Sequence, residues 1–164
     1  MQESYFVNFH IKIHLKLYKI NKNKEFYGVP LTFSPAAADT LITHFEDTGF
    51  TPEDYDLILT GDLGVVGSDI LCDALNQKGY DIYKQHKDAG KMIFDIKGQD
   101  VHAGGSGCGC CASIFCGYVF KELKAGNLNN VLVMATGALM NTMTIQQGDS
   151  IPGIAHAVRV CRSL

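Results

Sequence analysis

One short glycine-rich segment contains most of the residues in this sequence that have the chemistry to bind a ligand. His102 is followed by Ala103 and then by Gly104-Gly105-Ser106-Gly107, a run that leads into a helix predicted from about Cys108. Backbone N–H groups in such a run, together with the positive end of a helix, favour an anion. The segment therefore predicts a site for a small anion, and the alternative is close packing of the turn against a neighbouring strand.

His102 itself has two interpretations. An isolated loop histidine commonly does no more than donate a hydrogen bond to a carbonyl group, but an imidazole beside a glycine turn can also bind a ligand or transfer a proton. His156 lies within the last predicted strand and is expected to be a core or cleft-wall residue. Gln146 and Gln147, in the loop before that strand, are expected to donate hydrogen bonds to ligand oxygens.

A carboxylate follows the first predicted buried strand. Leu57-Ile58-Leu59 is a short apolar run suited to a parallel strand, and it leads directly into Gly61-Asp62-Leu63-Gly64. Asp62 is expected either to be a solvated strand-end carboxylate or to face a ligand through calcium or water. Because a carboxylate that faces an anion needs an intervening cation or proton, the solvated alternative is favoured.

The cysteines are crowded into one segment and do not have the spacing of a secreted disulfide framework, so free thiols are expected. Adjacent cysteines on one helix point about 100° apart and do not converge on a tetrahedral ion, so no metal site and no cofactor is predicted. Cys108 or Cys110, near the start of a helix, is expected to be the more reactive thiol. The six residues are Cys72, Cys108, Cys110, Cys111, Cys116 and Cys161.

Composition restricts the class of protein. With 164 residues, of which 46% are hydrophobic and 19% charged, the chain has enough apolar material for one packed core. A formal charge of −3 and a pI near 6.0 argue against nucleic acid as a partner. No run approaches the roughly 18 apolar residues of a membrane span, so a soluble, intracellular protein without a transmembrane segment is expected.

Residues 1–29 differ from the remainder of the chain. Residues 1–27 contain no Ala or Gly, and apolar and polar residues alternate from Val7 to Leu17, as in a half-buried strand. An edge strand over residues 5–18, followed by a linker, is therefore predicted. A basic amphipathic membrane segment is the alternative, but a helix would distribute these lysines around all of its faces.

Residues 30–164 show strands alternating with helices, which predicts an α/β fold with a mixed β-sheet and packed helices. The first helix is predicted to open at Ser34-Pro35, with Ser34 as its cap, and to end at Gly49. Two more helices are predicted over about Ser68–Lys78 and Cys108–Ala125. Further strands are predicted at Val131–Ala135 and Ile154–Val160, with a possible short one at Met92–Phe94.

Four stretches together resemble the C-terminal part of the stage V sporulation protein AD family. They are Pro35–Thr40, Asp56–Gly64 (DLILTGDLG), His102–Ser113 (HAGGSGCGCCAS) and Ser150–Val158, within a similarity that runs from about Ser34 to Val160. The resemblance implies a thiolase-like fold made of two similar halves with a site at their junction. This sequence is expected to supply only the second half, and residues 1–27 lie outside the resemblance.

The resemblance also implies what chemistry to expect. Thiolase-like enzymes carry their nucleophilic cysteine in the first half, so no cysteine here is assigned that role. The Thr60–Gly64 loop takes the place of one catalytic histidine, and Ser150–Gly153 takes that of a second cysteine. His102 is the one residue whose catalytic role carries over, so ligand binding is favoured over acyl transfer.

Members of the family are implied to bind dipicolinic acid during its uptake into the forespore, beside the membrane components of the uptake system. The chain is accordingly expected at the cytoplasmic side of the forespore or spore inner membrane, as a peripheral protein. Two alternatives are an acyltransferase that lacks its first half and a structural scaffold subunit. A half-domain must also cover an apolar helical face or expose it, which predicts either a homodimer or aggregation.

Overall fold

The computed structural model describes residues 9–10, 30–105, 107–138, 143, 146–147 and 153–162. Their strands form a five-stranded mixed sheet in the order β1-β5-β4-β2-β3. The strands are β1 (Phe9–His10), β2 (Leu57–Thr60), β3 (His86–Asp88), β4 (Asn130–Ala138) and β5 (Gly153–Cys161). Strand β2 is parallel to β3 and β4, whereas β5 is antiparallel to both β4 and β1. The predicted α/β class with a mixed sheet is therefore confirmed.

Helices cover the two faces of this sheet and make a core on each. Helices α1 (Pro30–Thr48) and α2 (Gly64–Asn76) pack on the face that presents Ile58, Leu132 and Ala157. The opposite face presents Leu57, Leu59, Val131 and Val160, and it is covered by the chain that follows Gly109. Successive side chains of a strand point to opposite faces, so consecutive core residues of β2 and of β4 belong alternately to one core and to the other.

The first helix begins earlier than its sequence predicted. Helix α1 starts at Pro30, so Pro35 lies inside it and Ser34 is not its cap. The Ser34 hydroxyl instead donates a 2.9 Å hydrogen bond to the carbonyl of Gly67 in α2, which ties the two helices together. The predicted end is confirmed, since the helix stops at Thr48 and Gly49 follows with φ +71°.

The secondary structure differs most from the prediction between the start of α2 and Met92. Helix α2 begins at Gly64, four residues before the predicted start. The short strand in this part is β3, His86–Asp88, and Met92 is the last residue of a one-turn helix, α3 (Ala89–Met92). The predicted strand at Met92–Phe94 is therefore wrong.

One helical segment covers the second face of the sheet, from Cys110 to Ala125. It consists of α4 (Cys110–Ile114), a π-helical turn (Phe115–Val119) and α5 (Phe120–Ala125), and it ends at Gly126 in the left-handed conformation. It starts two residues after the predicted Cys108. Val119 and Leu123 are buried against β2 and β4, as the predicted apolar face requires.

Of the predicted N-terminal strand over residues 5–18, the structure describes Phe9 and His10, which pair with Val160 and Arg159 at the edge of the sheet. The rest of that strand lies outside the described residues. Within the described part of the chain, no helix has the length and apolar character needed to cross a membrane.

Candidate functional site

The candidate site lies where β2, β3 and β4 end. Thr60 is in register with Asp88 of β3 on one side and with Met134 of β4 on the other. The loop Gly61–Leu63 extends beyond this edge before α2 begins. Since parallel strands bring their carboxyl ends to one edge, ligands of such sheets bind there. The structure therefore places the predicted Asp62 at the edge where a ligand is expected.

Asp88 holds this loop in place, although its side chain is only 1% exposed. Its carboxylate accepts hydrogen bonds from the Thr60 hydroxyl at 2.7 Å and from the backbone N–H groups of Leu63 at 3.0 Å and Gly64 at 2.9 Å. Burial raises the pKa of Asp88, and these hydrogen bonds oppose that change because they stabilise the charged form. The sequence did not single out Asp88, because only its burial distinguishes it from the other aspartates.

Gly90, in α3, brings the strand-end loop and the glycine turn together. Its N–H donates to the carbonyl of Gly61 at 3.1 Å, and its own carbonyl accepts from the N–H of Gly105 at 3.1 Å. A methyl group added at Gly90 would lie 3.1 Å from the Cα of Gly105 and 3.2 Å from the Cα of Asp62. Such distances are tighter than ordinary contacts, so these three backbones meet only because residue 90 is glycine.

The glycine turn is closely packed at one glycine and open at two others. A methyl group at Gly104 would lie 2.6 Å from the carbonyl oxygen of Gly90, which is the predicted close packing. The N–H groups of Gly104 and Gly105 donate to the carbonyls of Val101 and Gly90, so both are engaged within the protein. At Gly105 and Gly107 the space around the Cα is open. Ser106 lies outside the described residues.

His102 occupies the tip of this turn. It is the one described non-glycine residue with a positive φ, 50°, and its side chain is 92% exposed. Its Nδ1 lies 4.0 Å from a carboxylate oxygen of Asp100, which is itself on the surface. The imidazole is therefore oriented by little besides the turn, and it is accessible to solvent and to a ligand.

Asp62 is half-buried at the edge of the sheet. The hydroxyl of Thr136, in β4, is 3.5 Å from its Oδ1, which is a long contact for a hydrogen bond. Burial raises the pKa of Asp62, and the contact with Thr136 opposes the change. Asp62 is thus a partly desolvated carboxyl group at the edge of the sheet.

Behind the edge, a partly buried hydrogen-bond chain connects Asp88 with α2. The Thr60 hydroxyl donates to Asp88 and is 2.9 Å from Nε2 of His86, while Nδ1 of His86 is 3.5 Å from the sulfur of Cys72. Because Thr60 gives its one proton to Asp88, His86 must carry its proton on Nε2 and accept from the thiol at Nδ1. Burial lowers the pKa of His86 to about 4 and raises that of Cys72 to about 11.

All six cysteines have free thiols, as predicted. Cys108 is exposed and Cys110 is buried, so the two residues predicted to be reactive differ in access. Cys111, which the sequence did not single out, is partly buried and close enough to Asp62 and Asp88 to feel their charges. Burial and those charges raise its pKa to about 11. Among the described residues, no three His, Cys, Asp or Glu side chains are grouped to hold a metal ion.

The other predicted site residues lie apart from this edge or on its surface. His156 is a partly buried residue of β5 opposite Ala135 of β4, consistent with a wall position. Gln146 and Gln147 are exposed. The structure thus brings Asp62, Gly104 and Gly105 together, and it reveals Asp88, Gly90 and Cys111 as their neighbours.

Comparison with known proteins identifies the family. The model of the family described as stage V sporulation protein AD matches residues 22–161, and the match therefore begins upstream of residue 34, where the resemblance was first placed. The chain is 51% identical over 125 residues to the stage V sporulation protein AD of Bacillus subtilis (strain 168), a match that covers 76% of this chain and 37% of that relative. The chain thus spans little more than a third of the relative's length. It belongs to the stage V sporulation protein AD family.

Proposed function

We propose that this chain binds dipicolinic acid for its uptake into the forespore and that it does so without catalysing acyl transfer. Family membership supports a role in sporulation. The edge formed by Asp62 and the glycine turn supports a small ligand. The protein would act as a peripheral component at the cytoplasmic side of the forespore or spore inner membrane, beside the membrane-associated proteins of the uptake system.

The observation that carries the proposal is that the thiol of Cys111 is not activated as a nucleophile at this site. Covalent acyl transfer needs a thiolate, and a thiolate needs a lowered pKa or an adjacent base. Cys111, which interacts electrostatically with both Asp62 and Asp88, has its pKa raised to about 11, so it stays protonated at neutral pH. His102 is on the surface and makes no contact with a described thiol that would activate it. Binding is the function that these groups support best.

The same groups suit a flat dicarboxylate. A methyl group added at Gly105 or Gly107 would meet no other atom within 4 Å, which supports access of a small ligand to this side of the turn. Asp62 is half-buried close to Gly105, where a proton or a cation shared with its carboxylate would let a ligand carboxylate approach. The exposed imidazole of His102 provides a second hydrogen-bonding group at the rim.

A calorimetric titration of dipicolinate into the purified chain tests the proposal. The informative variant is Gly105→Asp, which places a carboxylate and its bulk in the open space beside Asp62. Gly79→Asp is the matched control, because Gly79 has a similar positive φ, +87° against +97°, and equally open surroundings in the turn after α2. Wild type and Gly79→Asp are expected to bind with similar affinity, and Gly105→Asp at least about tenfold more weakly, since a nearby like charge opposes the anion.

Two alternatives give different results. If the chain belongs to an acyltransferase, acyl-CoA should label a cysteine covalently or be turned over, and intact-mass spectrometry would detect the label. If it is a scaffold subunit, it should bind its membrane partners but release no heat with dipicolinate. Saturable binding of dipicolinate with no mass change on exposure to acyl-CoA is the result that the proposal requires.

A further inference from the structure

We infer that Asp88, a residue enclosed behind the edge of the sheet, is the positioning residue of the candidate site. The inference rests on the proposed function in one respect, namely that a ligand binds beside Asp62. Its structural basis is independent of the ligand, because it consists of contacts between Asp88 and the segments that form the edge of the sheet.

Asp88 joins three of those segments directly. Its two carboxylate oxygens accept from Thr60 at the end of β2, from Leu63 in the strand-end loop and from Gly64 at the start of α2. The last two donors follow Asp62 immediately in the chain. The backbone that carries Asp62 is therefore fixed on its C-terminal side by a carboxylate that is itself fully enclosed.

Asp88 also governs the glycine turn through α3. It occupies the N-cap position of this short helix, whose second residue is Gly90. Gly90 donates to Gly61 and accepts from Gly105, and a methyl group at position 90 would meet the Cα atoms of both Asp62 and Gly105. A shift of Asp88 would therefore move both sides of the site, the loop with Asp62 and the turn with Gly105.

The hydrogen-bond chain behind the site fixes the direction of the donors. The Thr60 hydroxyl gives its one proton to Asp88, so His86 donates to Thr60 from Nε2 and accepts from the Cys72 thiol at Nδ1. Each link then has one orientation. Asp88 is thus provided with donors and needs no proton of its own, which makes it an acceptor of fixed geometry for the loop.

The variant Asp88→Asn tests this inference, because an amide keeps the size of the side chain but replaces one of its two acceptor oxygens, either Oδ1, which accepts from Gly64, or Oδ2, which accepts from Leu63, with an NH2 group. Hydrogen exchange followed by NMR should show at least one of these two amides losing protection by at least about tenfold more than amides of β4 and β5. Dipicolinate affinity should fall by roughly tenfold or more, measured well below the melting temperature.

Two further variants keep the inference testable. Thr60→Val removes one donor to Asp88 with little change of shape, so if Asp88→Asn does not fold, Thr60→Val should show the same local pattern more weakly. Ser34→Ala removes a buried hydrogen bond between α1 and α2 and is the control for general destabilisation. It is expected to lower the melting temperature without changing affinity or the relative protection of Leu63.

The outcomes separate the two claims. Uniform loss of protection across the sheet in Asp88→Asn or Thr60→Val, or unchanged protection of Leu63 and Gly64, would overturn the positioning role. If wild type fails to bind dipicolinate, the proposed function fails, and the exchange pattern still decides the role of Asp88. If both hold, the affinities of Asp88→Asn and Ser34→Ala differ although both proteins are destabilised.

Discussion

His86 is expected to make the stability of this fold depend on pH between about 6.5 and 4. Its imidazole is enclosed between Cys72 and Thr60, and burial lowers its pKa from 6.5 to about 4. In the unfolded chain the same imidazole takes up a proton near its ordinary pKa. Between these two values the unfolded state binds more protons than the folded state, so lowering the pH favours unfolding.

The magnitude follows from the size of that shift. A difference of one pKa unit corresponds to about 1.4 kcal/mol, so the lowered pKa of His86 predicts a loss of about 3 kcal/mol of unfolding free energy as the pH falls from 7 to 4. Asp62 and Asp88 act in the opposite direction. Their pKa values are raised, so they contribute stability at low pH that is lost as the pH rises through their folded values.

A variant separates the contribution of His86 from those of the aspartates. In His86→Gln the amide nitrogen can still donate to Thr60, but the side chain does not titrate. The chain has seven Tyr and no Trp, so it has no tryptophan fluorescence to report unfolding. Unfolding in urea is therefore followed by far-ultraviolet circular dichroism. The difference in unfolding free energy between wild type and His86→Gln should shift by about 3 kcal/mol in favour of the variant between pH 7 and pH 4.

The matched control is His102→Gln, which replaces the same residue type at a side chain that is 92% exposed. This variant leaves His86 in place, so it should keep the loss of stability between pH 7 and pH 4 that His86→Gln removes. Parallel curves for wild type and His86→Gln over the whole range would refute the reasoning, because they would mean that His86 titrates alike in the folded and unfolded states.

Three further predictions concern the thiols, the glycine turn and the state of association. Iodoacetamide followed by peptide mass spectrometry should label exposed Cys116 well before buried Cys72, whose pKa is raised to about 11, and equal rates would contradict the buried hydrogen-bond chain. Gly104→Ala should lower the unfolding free energy by about 2 kcal/mol more than Gly79→Ala. Both residues have positive φ, but only the methyl group at position 104 would meet a backbone oxygen. Equal losses in denaturant titrations would show that the turn is not closely packed. The helical segment from Cys110 to Ala125 exposes several uncharged side chains, among them Phe120. Sedimentation velocity should therefore show a homodimer, and Phe120→Lys should weaken it. A well-folded monomer would contradict this expectation.

The strands that were predicted correctly are the apolar ones. Leu57–Thr60, Asn130–Ala138 and Gly153–Cys161 are central strands with helices on both faces, so burial dictates their composition. The strand His86–Asp88 is polar, because its side chains make hydrogen bonds to Thr60 and to the loop after β2. A pattern based on hydrophobicity cannot detect such a strand.

Helix boundaries were predicted less well where tertiary contacts decide them. Ser34 has the residue type and spacing of a helix cap, but its hydroxyl bonds to Gly67, which is 33 residues away in the chain. Helix α2 starts at Gly64, whose N–H donates a hydrogen bond to the carboxylate of Asp88. In both cases the hydrogen-bond partner is distant in the sequence, so a prediction from the local pattern places the helix start at the wrong residue.

The site was predicted in part for the same reason. The glycine turn is recognisable because glycine in such density has few other uses, and Asp62 because it follows a buried strand. Asp88 and Gly90 make the contacts that join these two features, but they lie in a polar stretch without a local signal. Their role follows from the parallel pairing of β2 with β3, which places Thr60 beside Asp88.

The binding role of the edge beside Asp62 is decided by equilibrium binding of dipicolinate, measured by calorimetry on wild type, Gly105→Asp and Gly79→Asp. We predict saturable binding with one ligand per chain for wild type and Gly79→Asp, and binding at least about tenfold weaker for Gly105→Asp. An absence of binding to folded wild-type protein, or equal affinity for the two aspartate variants, would contradict it.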